Sequence, residues 1–148
     1  MGETRSRVLR SGGCLCGAVR FDVAIASSVH VCHCGKCRRW SGGAFMGVAC
    51  DAPVFTADAA LSRYTSSEWA EREFCGTCGS SLFWTARDGS YRVVSAQSLD
   101  DATGVTFETQ IFVDEKPSYY AFADSTTMMT GAEVFAAFTS NAGAEKRD

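Results

Sequence analysis

Seven of the eight cysteines in this chain fall into three clusters, Cys14-Leu15-Cys16, Cys32-His33-Cys34-Gly35-Lys36-Cys37 and Cys75-Gly76-Thr77-Cys78. Thiols at these spacings read as zinc ligands. A two-residue spacer lets two thiolates converge on one ion, and a one-residue spacer places both on the same face of an extended backbone. A tetrahedral ion needs four sulfurs. One Cys-x-Cys plus one Cys-x-x-Cys completes such a set, and Cys14, Cys16, Cys75 and Cys78 are the favoured structural zinc site. A competing division joins Cys75 and Cys78 to two sulfurs of the middle cluster, and spacing alone leaves it open. The favoured division keeps Cys32, Cys34 and Cys37 together as a triad with an open coordination position, where zinc does chemistry. Two zinc ions per chain are expected.

The residues around the clusters sharpen this reading. Gly17 and Gly79 each follow a cysteine pair. Glycine there can take a left-handed turn without steric penalty, so that backbone N–H groups point at sulfur. The alternative for the triad is a second closed site completed by His30, His33 or Cys50. In an extended segment His33 points away from Cys32 and Cys34, which favours a polar contact or support of the ligands over direct ligation. Cys50, in the apolar run that starts at Met46, reads as a buried thiol. A zinc held by three thiolates carries a formal charge of −1. Lys36, Arg38 and Arg39 stand ready to offset it or to grip the carboxylates of an anionic thiol, and an ordinary solvated basic turn explains them equally well. Trp40 is a candidate wall for a substrate pocket as well as a core residue.

At 148 residues and 46% apolar content the chain suits a single domain. We expect an N-terminal extension over 1–9, one zinc-binding domain over 10–140 and a flexible tail over 141–148. Neither a signal-like run nor a span of about 18 apolar residues occurs, so a cytoplasmic protein without a membrane partner is expected. A reducing compartment favours metal over disulfides, although an even cysteine count keeps a secreted disulfide scaffold as a rival. Fourteen basic against seventeen acidic residues, net charge −3, offer no overall attraction to nucleic acid. The zinc deaminase, phosphate-loop, dinucleotide-loop and Gly-x-Ser-x-Gly motifs are missing.

Val19, Phe21, Val23 and Ile25 alternate with Arg20, Asp22 and Ala24, the period of a strand with one face in a core. Short segments of the same kind recur at Phe45–Cys50, Val54–Thr56, Leu61–Tyr64, Arg72–Phe74, Ser81–Thr85, Tyr91–Ala96, Phe107–Val113 and Tyr119–Ala123. The strong helical candidate is Ala132–Phe138. The expected class is mainly β, of short antiparallel strands with one short C-terminal helix.

The order Gly13-Cys14-Leu15-Cys16-Gly17-Ala18-Val19, Cys32-His33-Cys34-Gly35-Lys36-Cys37-Arg38-Arg39 and Phe74-Cys75-Gly76-Thr77-Cys78-Gly79-Ser80-Ser81-Leu82 resembles the glutathione-dependent formaldehyde-activating enzyme family, which includes centromere protein V. Ile111-Phe112-Val113 and Lys116-Pro117-Ser118 are similar as well. The resemblance implies a β-tent fold, a structural zinc on Cys14, Cys16, Cys75 and Cys78, and a second, catalytic zinc on Cys32, Cys34 and Cys37. It also implies a carbon-sulfur lyase that adds the thiol of glutathione to formaldehyde to give S-(hydroxymethyl)glutathione. Gln110 and Tyr119 stand where members usually carry His and Trp. From another functional class, the alternative is a non-catalytic binding module stabilised by two structural metals.

Overall fold

The computed structural model describes the backbone of residues 6–147 and the side chains of residues 6–139. It is mainly β, as expected, with ten strands among the described residues, and it divides into two compact units. The first unit takes the chain up to Val29 and then Met46–Thr106; the second takes His30–Phe45 and everything from Phe107.

In the first unit β1 (Val8–Gly13) turns back through the Cys14–Val19 segment into β2 (Arg20–Cys32), with Gly13 opposite Arg20 and Val8 opposite Ile25. β4 (Val54–Ala57) lies antiparallel on the start of β2, and β3 (Phe45–Cys50) neighbours it in the sheet. From β3 the order runs to β8 (Arg92–Ser95), β7 (Ser81–Ala86), β6 (Ala70–Cys75) and β5 (Leu61–Thr65), every pair antiparallel. The predicted alternation is visible in the burial: Phe21, Val23 and Ile25 are inside while Asp22 and Ala24 are only partly covered. Phe21 packs edge-to-face on Phe83 at 4.8 Å and on Phe55 at 6.2 Å, and Val19, Val48, Leu82 and Val94 close the core. Cys14 and Cys75 belong to the same apolar cluster, so two ligand candidates are anchored by the best-packed part of the unit.

In the second unit the end of β2 leads to α1 (Gly35–Ser41), and β9 (Thr106–Ile111) carries β10 (Thr127–Met129) in parallel, Gln110 opposite Met128. The His33 N–H bonds to the Ile111 carbonyl at 3.1 Å. A 3₁₀ turn over Val113–Glu115 follows β9, and α2 (Gly131–Arg147) ends the described chain. Phe112 sits at φ 56°, and a Cβ on Gly131 would come within 2.9 Å of its ring, so glycine there admits the Phe112 side chain.

Several boundaries differ from the sequence expectation. Residues 1–5 of the anticipated extension lie outside the described residues, while Val8 and Leu9 already belong to β1. Tyr119–Ala123 forms no strand. Its aromatic residues suggested β structure, but they make ring contacts instead: Phe122 stacks edge-on against Phe107 at 5.2 Å, and Tyr120 lies against His33 at 5.5 Å. The C-terminal helix is longer than Ala132–Phe138 and includes the backbone of 141–147; Asp148 lies outside the described residues. α1 departs from the expectation of extended backbone through the triad, because Cys34 caps a helix there.

Candidate metal centres

The turn between β1 and β2 and the turn between β6 and β7 bring Cys14, Cys16, Cys75 and Cys78 together, with all four sulfurs within 4.8 Å of one another. The Cys14–Cys16 and Cys16–Cys75 sulfur separations are 3.7 and 3.8 Å. Four sulfurs about 2.3 Å from a common centre in a tetrahedron stand about 3.8 Å apart, whereas a disulfide needs about 2.05 Å. The donor set therefore fits a tetrahedral metal. Backbone N–H groups aim at the sulfurs: Val19 at Cys14 (3.2 Å), and Thr77 and Cys78 at Cys75 (3.3 and 3.4 Å). Ser80 meets Cys78 Sγ at 3.2 Å, and its hydroxyl and N–H hold that thiol down to about 5. The glycine expectation holds in this structure. Gly17 and Gly79 take φ 83° and 82°, and the Gly79 N–H returns to the Cys75 carbonyl at 2.8 Å.

Cys32, Cys34 and Cys37 form a second set within the same 4.8 Å limit. Their local geometry is not the extended strand read from sequence. Cys32 ends β2, Cys34 is the N-cap of α1, and Cys37 lies in the first helical turn, where its N–H bonds to Cys34 Sγ at 3.4 Å. Sulfur thus does what a Ser or Asp oxygen does at other helix starts. Gly42, at φ 79°, ends the helix, and its N–H bonds to the Arg38 carbonyl at 2.8 Å. Hydrogen bonds from Cys32 and Cys37 hold Cys34 well below the usual thiol range, while contacts with Cys34 and Cys37, together with burial, push Cys32 up.

No histidine nitrogen joins either set among the described residues. His33 is fully buried and bonded elsewhere, Nε2 to Gln110 Oε1 and Nδ1 to the Tyr120 hydroxyl, both at 2.8 Å. Gln110 in turn donates to Thr126 Oγ1 at 2.8 Å, which leaves its carbonyl oxygen to accept from His33. His33 therefore carries its proton on Nε2 and accepts the Tyr120 hydroxyl at Nδ1. Burial holds its pKa below the ordinary histidine value, with the Lys116 and Arg38 charges acting in the same direction. Cys50 is a buried thiol, pushed up to about 12 by burial.

The basic candidates part company. Lys36 and Arg39 are exposed, while half-buried Arg38 donates from Nε to the His33 carbonyl at 2.9 Å. Trp40 packs on buried Phe45 at 5.1 Å. Tyr119 is 82% exposed and leans edge-on against Tyr120. Two further residues belong to this surround. Glu115 accepts the Gly35 N–H at 2.9 Å, and Lys116 Nζ bonds the carbonyls of Pro117 and Tyr120. Their distance in sequence from the triad hid them, although Lys116 lies within the similar stretch quoted above.

Comparison with known proteins agrees with the cysteine order. A sequence model of the glutathione-dependent formaldehyde-activating enzyme family matches residues 9–115, which include both sulfur sets. An uncharacterized lyase of Schizosaccharomyces pombe is 34% identical over 126 residues, covering 83% of this chain and 92% of that protein. A crystal structure of a Rhodobacter sphaeroides protein is similar in fold, with a TM-score of 0.53 and 24% identity over 66% of this chain and 98% of its own. The cysteine order, the match across both sulfur sets and the identity to the yeast protein together place the chain in the glutathione-dependent formaldehyde-activating enzyme family.

Proposed function

We propose that the protein is a zinc-dependent carbon-sulfur lyase of the cytoplasm that interconverts a free thiol, such as glutathione, and its hydroxymethyl adduct. The observation that carries this reading is the triad: three sulfurs converge and no fourth His, Cys, Asp or Glu ligand atom joins them among the described residues. Cys32, Cys34 and Cys37 would hold a zinc with a position to spare, and Cys14, Cys16, Cys75 and Cys78 would hold a structural one. When bound, zinc at the triad supplies a place for the substrate thiolate and a lower pKa for it. In the forward direction the thiol sulfur bonds to the carbonyl carbon of formaldehyde, the carbonyl electron pair moves to oxygen, and that oxygen takes up the proton the thiol gave away. Cleavage is the reverse.

Residues of the chain supply the surroundings. Three thiolates around a dication would leave a formal charge of −1, which the Arg38 and Lys116 cations near His33 and Lys36 beside Cys37 would offset. Arg39 and Lys36, exposed on α1, can meet the carboxylates of an anionic thiol. His33 keeps the segment between two ligands in place through Gln110 and Tyr120; with both nitrogens engaged, it does not carry the proton.

Two variants test the proposal. Cys34→Ser should lower the catalysed exchange between formaldehyde and glutathione, followed by NMR exchange spectroscopy, by about a hundredfold or more while the chain stays folded. Cys14→Ser should cost folding itself. Catalysis that survives Cys34→Ser would sink the enzyme reading.

A further inference from the structure

The first unit carries a polar cleft that the thiol chemistry leaves unused. Cross-strand register sets Arg63 opposite Glu73 on β5 and β6, Glu71 opposite Thr85 on β6 and β7, and Thr85 opposite Arg92 on β7 and β8. Because side chains alternate along a strand, these residues share one face of the sheet. With Phe55 and Arg87 they line an open cleft of roughly 360 Å³, a size that suits a small molecule.

Two buried polar atoms in its lining make no hydrogen bond. Glu73 is 3% exposed. Its Oε2 accepts from Arg63 Nε at 2.8 Å, whereas Oε1 is buried with no hydrogen bond and with Arg92 Nη1 3.9 Å away. Thr85 Oγ1 is buried and likewise has no partner. Buried oxygens are normally hydrogen-bonded, and a carboxylate oxygen with only a long charge contact and no donor is the more costly kind. The cations and the orphans ask for different halves of a ligand. A bare anion would satisfy the guanidinium groups and leave Glu73 Oε1 alone; a bare amine would meet three arginines.

We propose that this cleft binds a small zwitterion of the α-amino-acid type. Its ammonium donates to Glu73 Oε1, with Thr85 Oγ1 as a second polar partner, and its carboxylate takes forked hydrogen bonds from Arg87 and Arg92. Its carbon chain lies against Phe55. This proposal does not depend on the thiol chemistry, and the two can fail separately.

The test is titration of isotope-labelled, zinc-loaded full-length protein with L-norvaline, followed by amide chemical shifts. Pentanoate, which lacks the ammonium, and butylamine, which lacks the carboxylate, are the controls. Norvaline should give saturable shifts confined to amides of β6, β7 and the following turn within about 20 mM, and each control should bind at least about tenfold more weakly. Glu73→Gln should weaken norvaline binding by about tenfold or more. Since that change also weakens the Arg63 pair, Thr85→Val is the second variant. It keeps the side-chain shape and deletes an unpaired hydroxyl, so the thermal midpoint should stay level or rise while norvaline binding weakens. Exchange between formaldehyde and glutathione should be unaltered in Thr85→Val. The proposal is overturned if folded parent protein shows no saturable shift, if pentanoate or butylamine binds as tightly as norvaline, or if both variants keep parent affinity.

Discussion

His33 lies between two cysteines of the triad, yet its ring is held by residues about eighty positions away. Sequence reasoning could assign it a polar contact but not name Gln110 or Tyr120 as the partners. Gln110 is 1% exposed and joins His33 to Thr126, so replacing it with an apolar residue leaves a buried N–H without an acceptor. Gln110→Leu should cost about 1–3 kcal/mol in urea unfolding. A change below about 0.5 kcal/mol would mean that the network does not brace the segment. Cys50 makes a different prediction. Burial raises its folded pKa to about 12, so only the unfolded chain ionises this thiol from about pH 9 upward. In that window the unfolded state binds fewer protons than the folded state, and stability falls as pH rises. Cys50→Val removes this titration, so the difference in unfolding free energy between parent and variant should stay constant below about pH 9 and shift against the parent above it. A flat difference up to about pH 11 would show that the thiol is not shielded.

α1 and α2 show two ways in which a helix start is written. α2 begins with a reciprocal capping box that the sequence spells plainly: Thr130 N–H donates to Glu133 Oε1 at 2.8 Å, and Glu133 N–H donates to Thr130 Oγ1 at 3.2 Å. Asp114 adds an acceptor for the Gly131 N–H at 2.7 Å. Thr130→Ala should therefore lower stability by about 1 kcal/mol in chemical denaturation, with Thr130→Ser close to the parent. Equal losses in both would point away from the hydroxyl. α1 is written more obscurely. Its cap is a cysteine, its apolar pattern spans too few residues to show a period, and its clearest mark is Gly42 at the end. Among the strands, Phe45–Cys50 was legible to the residue, because its apolar run is bounded by the turn-forming Ser41-Gly42-Gly43 before it and by Asp51 after it.

At the scale of the whole molecule, thiols far apart in the chain converge in the folded protein. Cys16 and Cys75 lie 59 positions apart, and closing that loop through one ion would restrain about half of the first unit. The triad lies within a short stretch at the end of β2 and the start of α1, and an ion there closes almost no loop. Chelation should therefore proceed in two stages under native mass spectrometry. The first zinc should leave under mild chelator without loss of the β circular-dichroism signal, and the second should leave only as that signal collapses. Simultaneous release with unfolding would make the triad a closed structural site and favour the binding-module alternative. No helix among the described residues is long and apolar enough to cross a membrane.

Local chemistry can be read from the order of the residues: which cysteines come in pairs, that glycine must follow them, and that strands alternate around a core at Phe21, Val23 and Ile25. These are properties of neighbours in the chain, set by spacing, backbone freedom and side-chain period. Which pair meets which is a matter for the folded chain, because a Cys-x-Cys can join any Cys-x-x-Cys that the fold brings within reach. The same holds for the His33 partners, for the Glu115 contact to α1, and for the Glu73 and Thr85 oxygens that face one cleft from adjacent strands. Such contacts depend on strand register, and register is settled by packing across the sheet, where distant residues compete for the same core.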